Sequence, residues 1–120
     1  MSEFLFIEYP KCSTCQKARK WLEDNHISFV SRHIVENNPD KDELRQWIAR
    51  SGKPAAKFFN TSGLKYKALN LKNRLPALSE DEQIDLLASD GMLIKRPLLV
   101  WEDGVLAGYR EAAYEAAVKA

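Results

Sequence analysis

The chain is sparing in residues that staple, bend or anchor a protein: its 120 residues include two cysteines, two histidines, five glycines and five prolines. Two cysteines are too few for a disulfide-framed secreted scaffold. Neither sign of charge is in excess. Lys and Arg number 18 against 17 Asp and Glu, a net of +1, and so weak a field argues against direct nucleic-acid binding. Long hydrophobic runs are missing too. Phe4 to Ile7 and Leu98 to Trp101 fall far short of a membrane span, and the acidic start at Glu3 precedes an apolar run too brief for a signal-peptide core. The expectation is a cytoplasmic protein with no membrane segment. Internal repeats and low-complexity segments are also lacking, so residues 1–120 read as a single domain with one sizeable core.

What is present is a clear alternation of elements. Phe4 to Tyr9 is almost continuously apolar, as in a strand buried on both faces. After Pro10 and Lys11, the residues Cys15, Ala18, Trp21 and Leu22 recur at helical spacing until Asp24 and Asn25 offer a stop. Ile27 to Val35 predicts a second strand, parallel to the first because a helix separates them. Asn38 as N-cap and Pro39 at the first helical position predict a helix ending near Ser51 and Gly52.

Between Pro54 and Gly91 the apolar residues cluster at helical spacing, broken at Asn60, Gly63 and Pro76, which predicts several short helices. Ser79 with Glu82 forms a capping box, and Asp90-Gly91 supplies a left-handed stop. The chain then reads as a strand over 98–101, a turn at Glu102-Asp103-Gly104, a strand over 105–109 and a helix from about Glu111 to Lys119. The order βαβ, helices, ββα predicts an α/β fold: a four-stranded mixed sheet like a thioredoxin core, with a helical insertion at about 38–91.

Both cysteines sit in one motif, Cys12-Ser13-Thr14-Cys15, where a buried strand turns into a helix. That places Cys12 at the helix N-terminus, whose free N–H groups and dipole favour an anion. A fall in its pKa from roughly 8.5 to about 6 would raise the thiolate fraction at pH 7 from about 3% to about 90%. Cys15, one helical turn on, lies within disulfide reach. Cys12 is the candidate nucleophile and Cys15 the candidate resolving thiol; the plainer reading is two idle buried thiols. A metal site would need His26 and His33, but Cys-x2-Cys-x10-His-x6-His falls outside zinc-finger spacing, so no metal is expected.

Arg96-Pro97 precedes a strand, where a proline can hold a cis bond that brings its loop to the cysteine turn. Arg96 carries a donor fork suited to an oxyanion, or else is a surface arginine paired to a carboxylate. Lys11 adjoins Cys12 and can tune it or bind substrate. Trp21, Trp47, Trp101, Phe58 and Phe59 read as core.

Tyr9 to Ala18, Phe58 to Gly63 and Gly91 to Leu98, in that order and spacing, together resemble the arsenate reductase family, which also contains the Spx regulators. The resemblance covers essentially the whole chain and implies a thioredoxin-like fold. In the family's reductases the first cysteine attacks an oxyanion held by arginines, and glutathione with glutaredoxin completes the cycle. Cys12 and Arg96 match those positions. The reductases carry serine where Cys15 stands and a histidine shortly before the nucleophile, where this chain has Glu8 and Tyr9; their further arginines fall near Lys57 and Arg110. Cys15 makes the chain more similar to the Spx branch. The resemblance implies a thiol-disulfide oxidoreductase with no bound cofactor, reset by glutathione and glutaredoxin or by thioredoxin. The alternative it implies is a redox-switched regulator that binds the C-terminal domain of the RNA polymerase α subunit.

Overall fold

The computed structural model describes residues 3–119. The first strand β1 (Phe4–Glu8), helix α1 (Ser13–Asp24) and strand β2 (Phe29–His33) form a βαβ unit. β1 and β2 are parallel, with Phe4 opposite Phe29 and Glu8 opposite His33. Four helices follow: α2 (Lys41–Ser51), α3 (Leu64–Ala68), α4 (Leu71–Arg74) and α5 (Glu80–Ser89). Strands β3 (Leu98–Trp101) and β4 (Gly104–Ala107) make a hairpin, and α6 (Glu111–Lys119) follows it. The sheet order is β2-β1-β3-β4, with β3 antiparallel to both neighbours, so the sheet is four-stranded and mixed.

Period-two alternation divides the apolar residues of the sheet between two cores. Ile7, Leu98 and Val100 face one side, where Leu44, Trp47 and Ile48 of α2 and Ile84 and Leu87 of α5 cover them. Phe6 and Leu99 face the other, against Ala18 and Leu22 of α1 and Tyr114 of α6. The helical insertion thus supplies one whole layer. Among the described helices none is long and apolar enough to cross a membrane.

Several boundaries differ from the sequence reading. Helix α2 is capped by Asp40, not Asn38: the Asp40 carboxylate accepts from the Glu43 amide at 2.8 Å while Glu43 accepts from the Asp40 amide at 3.1 Å. Asn38 instead donates to the carbonyls of Pro39 and Ala88, tying this loop to the end of α5. Gly91 is not a left-handed stop. A Cβ there would lie 2.1 Å from the Ile34 carbonyl oxygen, so close approach, not positive φ, selects glycine. The left-handed glycines are Gly52, which ends α2, and Gly108 at φ +86, which follows β4. β2 begins only at Phe29, because His26 at φ 58 and the residues after it still turn the chain out of α1.

Candidate active site

The site forms where β1 runs out into α1. Cys12 is the N-cap of α1, with extended backbone, and its amide donates to the Tyr9 carbonyl at 2.9 Å. Gln16 reinforces the turn by donating to the Pro10 carbonyl at 2.9 Å. Both thiols are free; Cys12 is half-buried, while Cys15 is fully buried and accepts from the Tyr9 amide at 3.5 Å.

The same turn treats the two sulfurs in opposite ways. Burial pushes the Cys12 thiol up, but the Cys15 amide and thiol, Arg96 and the Thr14 amide outweigh it, so its pKa lies below that of an ordinary thiol. Burial pushes Cys15 up to about 12, against the opposing Tyr9 amide and with the Cys12 thiolate adding to the rise. One thiol is thereby made more acidic than usual and the other is kept protonated.

The opposite wall comes from the insertion and the loop before β3. An isolated bridge pairs Phe59 with Ile94, and the flanking bonds Asn60 N–H to Leu93 O (2.8 Å) and Lys95 N–H to Phe58 O (2.7 Å) extend it. The Arg96–Pro97 peptide is cis. The Arg96 guanidinium lies 5.2 Å from the centre of the Tyr9 ring and contacts the Met92 carbonyl, while its buried Nε has no partner. A buried donor without a partner, lining the same cleft as Cys12, can receive an anion. The cleft so enclosed measures about 950 Å³ and is lined by Cys12, Thr14, Arg96, the segment from Ser62 to Lys65 and the turn from Ala107 to Arg110, among others.

Cys12, Cys15 and Arg96 are therefore brought together. Lys11 is exposed and lies outside the cleft lining, so adjacency in sequence does not carry its side chain into the site. Lys57 lines a separate recess that Lys95 also borders, whereas Arg110 lines the Cys12 cleft itself. Phe58 and Phe59 are core residues, and Phe59 bridges to Ile94. The residues that spacing did not reveal are Lys65, which α3 of the insertion supplies, Lys95 from the loop before β3, and Tyr109 from the segment after β4.

The ArsC family model matches residues 7–117. The chain belongs to the ArsC family. An ArsC family related protein from Bacteroides fragilis, solved by crystallography, is 53% identical with a TM-score of 0.92, covering 94% of this chain and 95% of that one. The uncharacterized protein YusI of Bacillus subtilis is 53% identical over 110 residues, 92% of this chain and 93% of that protein. The global transcriptional regulator Spx 2 of Bacillus cereus is 27% identical over 100 residues, 83% of this chain and 75% of that protein. The relatives of this chain thus include a transcriptional regulator.

Proposed function

We propose that the protein is a thiol-disulfide oxidoreductase in which Cys12 attacks an oxyanion or a disulfide and Cys15 resolves the adduct. The observation that carries this reading is the opposite displacement of the two thiols in one turn, facing a cleft with an unpartnered arginine donor. On a disulfide, the Cys12 thiolate forms a new S–S bond and expels a thiolate with its electron pair. On arsenate, it displaces a hydroxyl as water to form an S–As bond. Once Cys12 is bonded it carries no charge, so its contribution to the Cys15 pKa disappears and Cys15 loses its proton more readily. Cys15 then attacks the Cys12 sulfur, closing the Cys12–Cys15 disulfide and releasing the second thiolate or arsenite. Two electrons pass to substrate, and an external thiol restores the dithiol: glutathione with glutaredoxin, or thioredoxin. Two free thiols suit a reducing compartment, the cytoplasm.

NADPH-coupled arsenate reduction tests this, run with glutathione plus glutaredoxin and, separately, with thioredoxin plus its reductase. Turnover abolished by Cys12→Ser supports the enzyme, and retention of turnover only with glutathione in Cys15→Ser assigns internal resolution to Cys15. No turnover in either system, with a Cys12–Cys15 disulfide that still forms reversibly, excludes arsenate and leaves the disulfide reaction.

A second reading rests on the 27% identity to Spx 2 together with the buried partner thiol. Here closure of the disulfide would change the shape of a surface that docks on the RNA polymerase α C-terminal domain. Pull-down with that domain from oxidised and reduced protein separates the two: redox-dependent capture without turnover selects the regulator.

A further inference from the structure

The cleft is far larger than an inorganic oxyanion requires. About 950 Å³ lies at the top of the range of about 300–1,000 Å³ found for sites that take organic ligands, and a tetrahedral anion seated between Cys12 and Arg96 would leave most of it empty. What surrounds the remainder is not neutral. Lys65, Lys95, Arg96 and Arg110 line it against one carboxylate, Asp90, which is paired with Lys65 at 3.6 Å. Among the described residues Lys95 and Arg110 form no salt bridge.

Lys95 is also held in place. Its amide donates to the Phe58 carbonyl at 2.7 Å, and its stem runs across Gly108, where a Cβ would come within 3.0 Å of Lys95 Cε. The rim has an apolar member as well: Leu64 is 85% exposed, the most exposed large hydrophobic side chain among the described residues. Cations without partners beside an exposed leucine match a chain that offers carboxylates and apolar side chains at once.

We propose that this cleft takes a polypeptide disulfide whose cysteine is flanked by an acidic and an apolar residue, with Lys95 and Arg110 holding the carboxylate and Leu64 the apolar side chain. The proposal rests on the thiol-disulfide reading above and names its substrate class. Cys12 attacks the sulfur of the bound peptide's cysteine or its partner sulfur; one thiolate leaves with the electron pair. Cys15, deprotonated, then attacks Cys12 and the second thiolate leaves. The substrate gains two electrons and two protons, and a dithiol reductant regenerates the protein.

The test uses the reduced full chain and short peptides, each with one cysteine in mixed disulfide with 2-thiopyridine, whose release is followed by absorbance. The cysteine is flanked by glutamate and leucine, by lysine and leucine, or by glutamate and serine; 2,2′-dithiodipyridine serves as the small disulfide. Each rate is divided by that of dithiothreitol with the same substrate, which removes intrinsic reactivity. The glutamate-leucine peptide is expected to react on the order of tenfold faster than its lysine counterpart at low salt, with the ratio falling as salt is added. Lys95→Glu combined with Arg110→Glu should reverse that ratio, and Leu64→Ser should abolish the preference for leucine over serine. Equal normalised rates, or ratios that the variants leave unchanged, would overturn the peptide specificity. If the wild type reacts with all substrates alike while Cys12→Ser reacts with none, only this specificity fails. If the wild type does not react even with dithiodipyridine, the thiol reading fails with it.

Discussion

The Tyr9 ring carries the Arg96 guanidinium on its face at 5.2 Å, while the Tyr9 amide donates to the Cys15 sulfur at 3.5 Å. One residue thus contacts both a cation that lines the cleft and the buried thiol. On the same ring, His33 packs edge-on with centres 5.7 Å apart, which keeps Tyr9 from rotating away. A cation over an aromatic face is worth about 0.5–2 kcal/mol, depending on desolvation.

Tyr9→Leu keeps the amide and removes the face. It should raise the Cys12 pKa and slow alkylation by iodoacetamide at neutral pH by several-fold, because Arg96 is no longer held toward the sulfur. Arg96→Ala should raise that pKa further. Titration of thiolate absorbance in both variants checks the order.

The displaced thiols make stability depend on pH with two opposite signs. Cys12 is an acid whose folded pKa is lowered, so its contribution is present above the ordinary thiol value of 9.0 and is lost as pH falls through the folded value. Cys15 is raised to about 12, so the folded state holds an extra proton between pH 9.0 and about 12 and stability falls across that interval. Buried Tyr114, whose hydroxyl donates to the Gly108 carbonyl at 3.3 Å, is also raised and adds to the alkaline loss. Urea midpoints of the reduced protein should peak near pH 9, and Cys15→Ala should flatten the alkaline side.

Glu8 is 4% exposed, the one buried charged residue among those described, and it accepts from both Arg19 and the Ser31 hydroxyl. Arg19 also lies over the Phe29 ring at 5.3 Å, so this pair clamps α1 to the sheet. Removing the arginine leaves a buried carboxylate with only a hydroxyl partner. Arg19→Met should cost about 2–4 kcal/mol, less than a fully buried pair because Arg19 is 37% exposed, whereas Glu8→Gln should cost about 1–2 kcal/mol. Chemical denaturation of the two variants at pH 7 checks the asymmetry.

Gly91→Ala forces a methyl to within 2.1 Å of the Ile34 carbonyl oxygen unless the backbone moves. It should destabilise the protein by about 1–3 kcal/mol. Gly52→Ala, at φ +70 with open space around it, tests strain without a clash. Thermal melts that place Gly91→Ala no lower than Gly52→Ala would overturn the packing explanation.

The βαβ unit, the hairpin and the short helices were legible because each is marked locally, by a continuous apolar strand, a capping box such as Ser79 with Glu82, or a turn between two apolar runs. The cap of α2 was misplaced by two residues because Asn38 and Asp40 are both good caps in sequence. Only the contact of Asn38 with the Ala88 carbonyl, 50 positions away, takes it out of contention. Gly91 misled for the same reason: a glycine after a helix suggests a left-handed stop, whereas the constraint is Ile34 on another element.

The sequence alone determined that two thiols share a strand-to-helix turn, because that depends on residues adjacent in the chain and on the dipole of one helix. It also determined the mixed sheet, through apolar periodicity and the short connections that leave few topologies. Which cations face Cys12 was decided by tertiary structure alone. Lys11 is its neighbour in the chain yet lies outside the cleft, whereas Lys95, Arg96 and Arg110 come from more than 80 positions away. The reason is geometric: β3 runs antiparallel to β1 and β4 antiparallel to β3, so the loop before β3 and the segment after β4 both lie at the end of the sheet where β1 stops. Burial raises both thiols, and at Cys12 alone the amides of the turn, the Cys15 thiol and Arg96 outweigh it.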